Sequence, residues 1–61
     1  EKGLSIGQEG ESYTRLAPMG KAEFDGTTIE VTSEEGIISP KEKVVISKIE
    51  DHKIFVKKAN N

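Results

Sequence analysis

The 61-residue sequence contains no cysteine and a single histidine, and these two shortages exclude much of the chemistry open to a protein. Without cysteine the chain has neither disulfides nor thiolates that could bind a metal or attack a substrate. His52 has no second imidazole with which to complete a metal site, and its neighbours Glu50 and Asp51 indicate a polar turn. A serine nucleophile would likewise have only this imidazole as its base. The adjacent glutamates at residues 34–35 are interpreted as part of a solvated loop and not as paired catalytic carboxylates. Composition therefore argues against an enzyme.

Aromatic residues and long apolar segments are scarce as well. Tyr13, Phe24 and Phe55 are the only aromatic residues, and apolar runs such as residues 44–46 are far too short to span a membrane. A chain of this length forms one domain and buries only about 60% of the surface that it exposes when unfolded. We therefore predict a single domain over residues 1–61, with its core in about residues 9–57. Because the chain begins at Glu1, we interpret it as a fragment of a longer protein.

Charge is distributed unevenly along the chain, although the net charge is only −2. Residues 1–36 contain three basic and eight acidic side chains, whereas residues 37–61 contain six basic and three acidic ones. We expect a closed barrel to mix these two halves in part. The net negative charge weakens the electrostatic attraction that dominates non-specific binding to nucleic acid.

Short alternating segments separated by turn residues predict strands rather than helices. The alternation covers residues 12–16, 21–24, 27–32, 43–49 and 53–57. Asp25 and Gly26 readily adopt positive φ, so we expect a tight hairpin between the second and third of these strands. Gly36 and Pro40 interrupt residues 33–42, where no helix of useful length is expected.

The apolar positions of these strands need burial on one face, and a sheet that closes on itself provides it without leaving edge strands. We predict an all-β fold, a small five-stranded closed barrel. At least one of Ile37 and Ile38 is expected to close an end of the core, and a β-bulge near residues 47–48 is needed to bring Ile49 into phase. The expected core is Ala22, Phe24, Ile29, Val31, Val44, Ile46, Ile49, Ile54 and Val56.

Phe55 is opposite in phase to its apolar neighbours, so we expect it to point outward among Lys53, Lys57 and Lys58. Aromatic residues are enriched at protein interfaces, and an exposed ring can also stack on a base. The candidate contacts are therefore Phe55, Lys53 and Lys57, together with Tyr13. They could serve a protein partner, self-association or, against the unfavourable net charge, single-stranded nucleic acid.

Residues 10–26, GESYTRLAPMGKAEFDG, resemble the segment that opens the C-terminal soluble domain of the NfeD family. The shared pattern is T-x-L-x-P-x-G-K, followed by alternating apolar residues and a glycine. The similarity continues through residues 29–31, 37–38 and 44–49. The sequence departs from the family pattern at residues 40–42, where many family members have a glycine shortly before the fourth strand.

This resemblance implies an OB-type barrel of five strands, in agreement with the alternation. It also implies a membrane-associated parent protein, with transmembrane helices before Glu1, and a partnership with stomatin/flotillin-like (SPFH) scaffold proteins. The domain would then be a non-enzymatic interaction module without a cofactor. Long family members carry a serine-protease domain upstream, of which this sequence has no motif. The resemblance is compatible with a domain on either side of the membrane.

The sequence MGK, residues 19–21, superficially resembles the modified lysine of biotinyl and lipoyl carrier domains. Those domains are longer and present the lysine at a hairpin tip, whereas here the expected turn at residues 25–26 lies beyond Lys21. We therefore interpret Pro18 and Gly20 as residues that turn the chain, and Lys21 as a solvent-exposed charge at the start of a strand.

Overall fold

The computed structural model describes residues 3–59, which form five β-strands in one closed barrel. Around the barrel the order is β1-β2-β3-β5-β4, and β4 pairs with β1 to complete the circle. No helix occurs within residues 3–59, so the prediction of an all-β, five-stranded closed barrel is confirmed. The strands are β1 (Glu9–Ser12), β2 (Met19–Phe24), β3 (Thr27–Ser33), β4 (Lys43–Glu50) and β5 (Lys53–Lys58).

Two hairpin turns have positive φ at both of their central residues. Asp25 (φ 51°) and Gly26 (φ 79°) join β2 to β3, which confirms the hairpin predicted from these residues. Asp51 (φ 50°) and His52 (φ 63°) join β4 to β5. Such turns match the right-handed twist of paired strands, which is why they connect antiparallel neighbours. The one parallel pairing, between β3 and β5, closes the barrel.

The core consists of apolar side chains at alternate strand positions and two contributed by loops. The loop residues Leu16 and Ile38 form an isolated antiparallel bridge, in which each backbone N–H donates to the other residue's carbonyl at 2.9 Å. Ile38 is buried while Ile37 is exposed, so one of the two isoleucines does close the core. The buried apolar residues are Leu16, Ala22, Phe24, Val31, Ile38, Val44, Ile46, Ile54 and Val56.

The predicted bulge in β4 is confirmed, but its effect on Ile49 is not what the sequence indicates. The pairing register shifts between Ile46 and Lys48, which brings Ile49 opposite Ile54. Ile49 nevertheless stays 37% exposed, so its assignment to the core is wrong. The reason is its position beside an open hollow at the start of β5, where Ile29 is also only partly buried.

The first strand lies earlier than the alternation of residues 12–16 predicts. β1 ends at Ser12, and the backbone N–H groups of Tyr13 and Thr14 both donate to the Lys21 carbonyl, at 2.8 and 3.2 Å. Ser12 and Leu16 are buried as their spacing requires, but the chain bends between them. A strand prediction over these residues is therefore wrong, because alternation alone does not distinguish a strand from a bend with two inward side chains.

Gly20 lies inside β2 and not at a turn, which corrects its assignment as a turning residue. A Cβ at this position would lie 2.5 Å from the Arg15 carbonyl oxygen and 2.6 Å from a Leu16 methyl carbon. The glycine thus lets the bend after β1 pack directly on β2. Pro18 does end that bend, one residue before β2 begins.

Ser12 joins β1 to the loop that precedes β4. Its hydroxyl donates to the Ser39 carbonyl at 2.7 Å and accepts from the Glu42 backbone N–H at 2.9 Å. The side chain is buried, and among residues 3–59 no buried side-chain nitrogen or oxygen lacks a hydrogen-bond partner.

We predict that Ser12→Ala lowers the free energy of unfolding by about 1–3 kcal/mol, because it leaves the Ser39 carbonyl and the Glu42 N–H, both in part-buried hydrogen bonds, without their partner. Chemical denaturation followed by circular dichroism measures the change. Ser47→Ala is the matched control, since within residues 3–59 the Ser47 hydroxyl makes only long contacts, of 3.2 and 3.3 Å, to Glu34 and Phe55. Equal losses for the two variants would contradict the role assigned to Ser12.

Candidate functional site

The wall of the barrel is open along part of the junction between β3 and β5. Strand pairing at this junction is confined to Thr32 with Phe55 and Ser33 with Val56. Toward the start of β5 the two strands separate around an open hollow of about 330 Å³, named here the β3–β5 hollow. Its lining includes the apolar residues Pro18, Met19 and Phe55 and the polar residues Glu30, His52 and Lys53.

Apolar surface in the β3–β5 hollow is accessible from solvent. Met19 is 62% exposed, and Phe55 is half-buried. The strand register connects these two residues, because Met19 pairs with Thr32 and Thr32 pairs with Phe55. They therefore lie in one row across three strands, about 10 Å apart at the usual spacing between strands.

Phe55 points outward, as its phase predicts, together with Lys53 and Lys57 on the same face of β5. The ring has a cation above it, since the Lys48 Nζ lies 4.7 Å from the ring centroid. Cations within about 6 Å of an aromatic ring are attracted by its negative face. Two carboxylates hold Lys48 there, because Nζ lies 3.5 Å from both Glu34 Oε2 and Glu50 Oε1.

Glu34 and Glu35 are exposed in the loop after β3, as the interpretation of a solvated loop expects, and both side chains contact the β4–β5 hairpin. Glu34 contacts Lys48, and its backbone N–H donates to the Val56 carbonyl at 2.9 Å. The Glu35 side chain accepts from the Lys58 backbone N–H, also at 2.9 Å. Adjacent residues point apart as expected, but each of the two carboxylates reaches a different strand.

Tyr13 is the one candidate contact that the fold separates from the others. It is 64% exposed and lies against β2, where its backbone N–H binds the Lys21 carbonyl. It is not part of the lining of the β3–β5 hollow. Conversely, the hollow contains Met19 and His52, which sequence reasoning did not associate with Phe55, because their proximity arises from pairing between distant segments.

Charge is segregated around the barrel, contrary to the expectation that closure mixes the two halves. Strands β1 to β3 carry four glutamates and one lysine, whereas β4 and β5 carry five lysines and one glutamate. The first three strands are neighbours, and so are the last two, so the imbalance of the sequence persists on the surface. The β3–β5 hollow lies where the two regions meet.

The remaining candidates for chemistry are dispersed. Within residues 3–59 no three side chains of metal-ligating type come close enough to hold a metal ion. His52 is exposed in the β4–β5 turn, and Lys21 is exposed within β2. The described part of the chain also contains no helix that is long and apolar enough to cross a membrane.

The strand order, the parallel closure of β3 on β5 and the exposed apolar hollow define a small OB-like barrel with a surface suited to binding. The chain belongs to the NfeD family, since the model of the NfeD-like C-terminal, partner-binding domain matches residues 3–58. The prediction of NfeD kinship is confirmed, and with it the role of the domain in binding a partner.

The fold is also similar to a solved structure, the C-terminal domain of stomatin operon partner protein 1510-C from Pyrococcus horikoshii. The two chains are 24% identical, and the TM-score is 0.84 over 92% of this chain and 89% of the other. No curated protein matches this chain significantly in sequence.

We predict that His52→Gly raises the free energy of unfolding by about 0.5 kcal/mol, because a left-handed conformation strains any residue with a Cβ. Lys41→Gly (φ 65°) should act in the same direction. Ser39→Gly is the control and should destabilise by a similar amount, since Ser39 has no positive φ and glycine only adds freedom to the unfolded chain. Thermal unfolding of the three variants measures these signs. Destabilisation by both His52→Gly and Lys41→Gly would refute the strain assigned to these positions.

Proposed function

We propose that this chain is a non-enzymatic protein-interaction module that binds a stomatin-type membrane protein. The observation that carries the proposal is the match of residues 3–58 to a partner-binding domain. The similarity in fold to a stomatin operon partner protein supports the choice of partner class. In this proposal the domain belongs to a longer, membrane-associated parent, and flotillin-like scaffolds form the wider class of partners.

The outward face of β5 is the proposed contact surface. Phe55 provides a large apolar side chain between two exposed lysines, Lys53 and Lys57, and Lys48 is held above its ring. Aromatic residues that are already fixed in position lose little side-chain freedom on binding and often dominate interface energies. Tyr13 is proposed as a separate, weaker contact, which a partner reaches only if it extends past β2.

The size of the barrel favours an extensive footprint. A standard interface covers about 800 Å² on each partner, roughly one fifth of the 4080 Å² that this chain exposes. An interface of that area cannot involve Phe55 alone and must extend over neighbouring strands. The charge segregation would then orient the partner, because complementary potentials steer association and disfavour the opposite orientation.

Binding of single-stranded nucleic acid is the alternative, and the geometry around Phe55 speaks against it. Stacking needs an accessible ring face, and Lys48 covers one face of Phe55 at 4.7 Å from the ring centroid. The glutamates of β1 to β3 would also repel a phosphate backbone that extends from β5 toward β3.

We predict that the chain binds a detergent-solubilised stomatin-type protein from the same organism, and that Phe55→Ala raises the Kd about 10- to 30-fold. Biolayer interferometry measures the affinity, and circular dichroism checks that each variant folds. Tyr13→Ala should cost about threefold by the same measure of side-chain truncation. Ile6→Ala, at a side chain that is 64% exposed like Tyr13, is the control and should change nothing.

A single-stranded oligonucleotide and the chain alone complete this test. Binding of an oligo(dT) at low salt, without binding of the stomatin-type protein, would replace the proposed function with the nucleic-acid alternative. Sedimentation of the chain alone as a monomer is expected. A dimer that competes with the stomatin-type protein would show that self-association uses the same surface.

A further inference from the structure

We infer that the β3–β5 hollow and the adjoining face of β5 bind an extended segment of the protein partner with the pattern acidic-x-apolar-x-acidic. The inference deepens the proposed function and rests on it. It assigns a location to the contact, a backbone conformation to the bound segment and a charge to its side chains.

The apolar position of this pattern follows from the cross-strand row of Met19, Thr32 and Phe55. The small Thr32 side chain lies between two larger apolar side chains. The surface of the barrel is therefore depressed at Thr32 relative to Met19 and Phe55. Met19 is exposed and flexible, which suits it to close over an inserted side chain. An apolar side chain placed above Thr32 would be covered from both sides.

The acidic positions follow from the lysines that flank Phe55. Lys53 and Lys57 stand two residues before and two residues after Phe55 on the same face of β5. The two lysines are therefore about 13 Å apart along the strand. An extended segment lying along β5 has the same two-residue period, so carboxylates two positions either side of its apolar residue reach both lysines.

The ion pairs around the hollow support an acidic occupant. Neither Lys53 nor Lys57 forms an ion pair within residues 3–59, whereas Lys48 has two carboxylate neighbours. Glu30, on the opposite rim of the hollow, carries the one negative charge of the lining. The carboxylates of a bound segment would accordingly lie toward the lysines of β5 and away from Glu30, while its apolar side chain reaches Thr32 of β3.

The test uses the same detergent-solubilised stomatin-type protein and paired variants of this chain. Met19→Ala and Lys53→Glu should each raise the Kd at least tenfold. Their controls are Ile37→Ala, at a side chain that is also 62% exposed, and Lys41→Glu, on a loop that hydrogen-bonds to β1 across the barrel from the hollow. The Kd of each control should stay within twofold of the Kd of the unsubstituted chain. Glu30→Gln should lower the Kd about threefold, a gain that damage to the fold cannot produce.

Overlapping 12-residue peptides that tile the stomatin-type protein identify the bound segment. The peptides captured by this chain should share the acidic-x-apolar-x-acidic pattern, lose binding to Lys53→Glu and be released at 0.5 M salt, where the Debye length is only about 4 Å. Capture of basic peptides, or of oligo(dT) in a Met19-dependent manner, would overturn the inference. So would a dimer of the chain that Met19→Ala dissolves, because a second copy would then occupy the hollow.

The outcomes separate this inference from the proposed function. If the unsubstituted chain binds the stomatin-type protein and the hollow variants bind it equally well, the inference fails and the proposed function stands. If the unsubstituted chain does not bind the stomatin-type protein at all, both fail.

Discussion

The parallel contact between β3 and β5 is the interaction on which the barrel depends. Only Thr32 with Phe55 and Ser33 with Val56 pair across it, yet without these pairs the five strands would form an open sheet with two exposed edges. The bulge after Ile46 adds twist to β4 and helps to direct β5 toward β3. Because the contact closes only part of the junction, the remainder opens into the hollow. The closure of the core and the shape of the candidate site are thus consequences of one feature.

Strand order has a second consequence, which concerns charge. Closure places β5 beside β3 and leaves β4 beside β1, so acidic and basic strands meet at two junctions and are not interleaved. At the β4–β1 junction opposite charges face one another, as in the pair Glu11 and Lys43. At the β3–β5 junction the hollow separates Glu30 from Lys53, whose charges remain available to a partner. A small barrel with little core can in this way bind selectively through its surface.

Several parts of the candidate site could be predicted from the sequence. The outward direction of Phe55, Lys53 and Lys57 follows from the two-residue period of β5, a local property that tertiary structure does not alter. Met19 and His52 could not be assigned to the site, because they line one hollow only through the parallel pairing of β3 with β5, which joins segments distant in sequence. The sequence did not indicate that Tyr13 lies apart from Phe55. An exposed aromatic residue can be predicted from the local pattern, but the side of the barrel on which it lies depends on strand pairing.

The sequence by itself determined the all-β class, the hairpin at residues 25–26 and the bulge in β4, because alternation and turn preference act over a few neighbouring residues. Only the tertiary structure decided that residues 13–18 bend, that Ile49 stays exposed and that Glu34 holds Lys48 over Phe55. Each of these depends on a strand or loop that is distant in sequence. Burial and ion pairing are set by what lies opposite a residue in space, and in a closed barrel that neighbour is fixed only when the last strand pairs with the third.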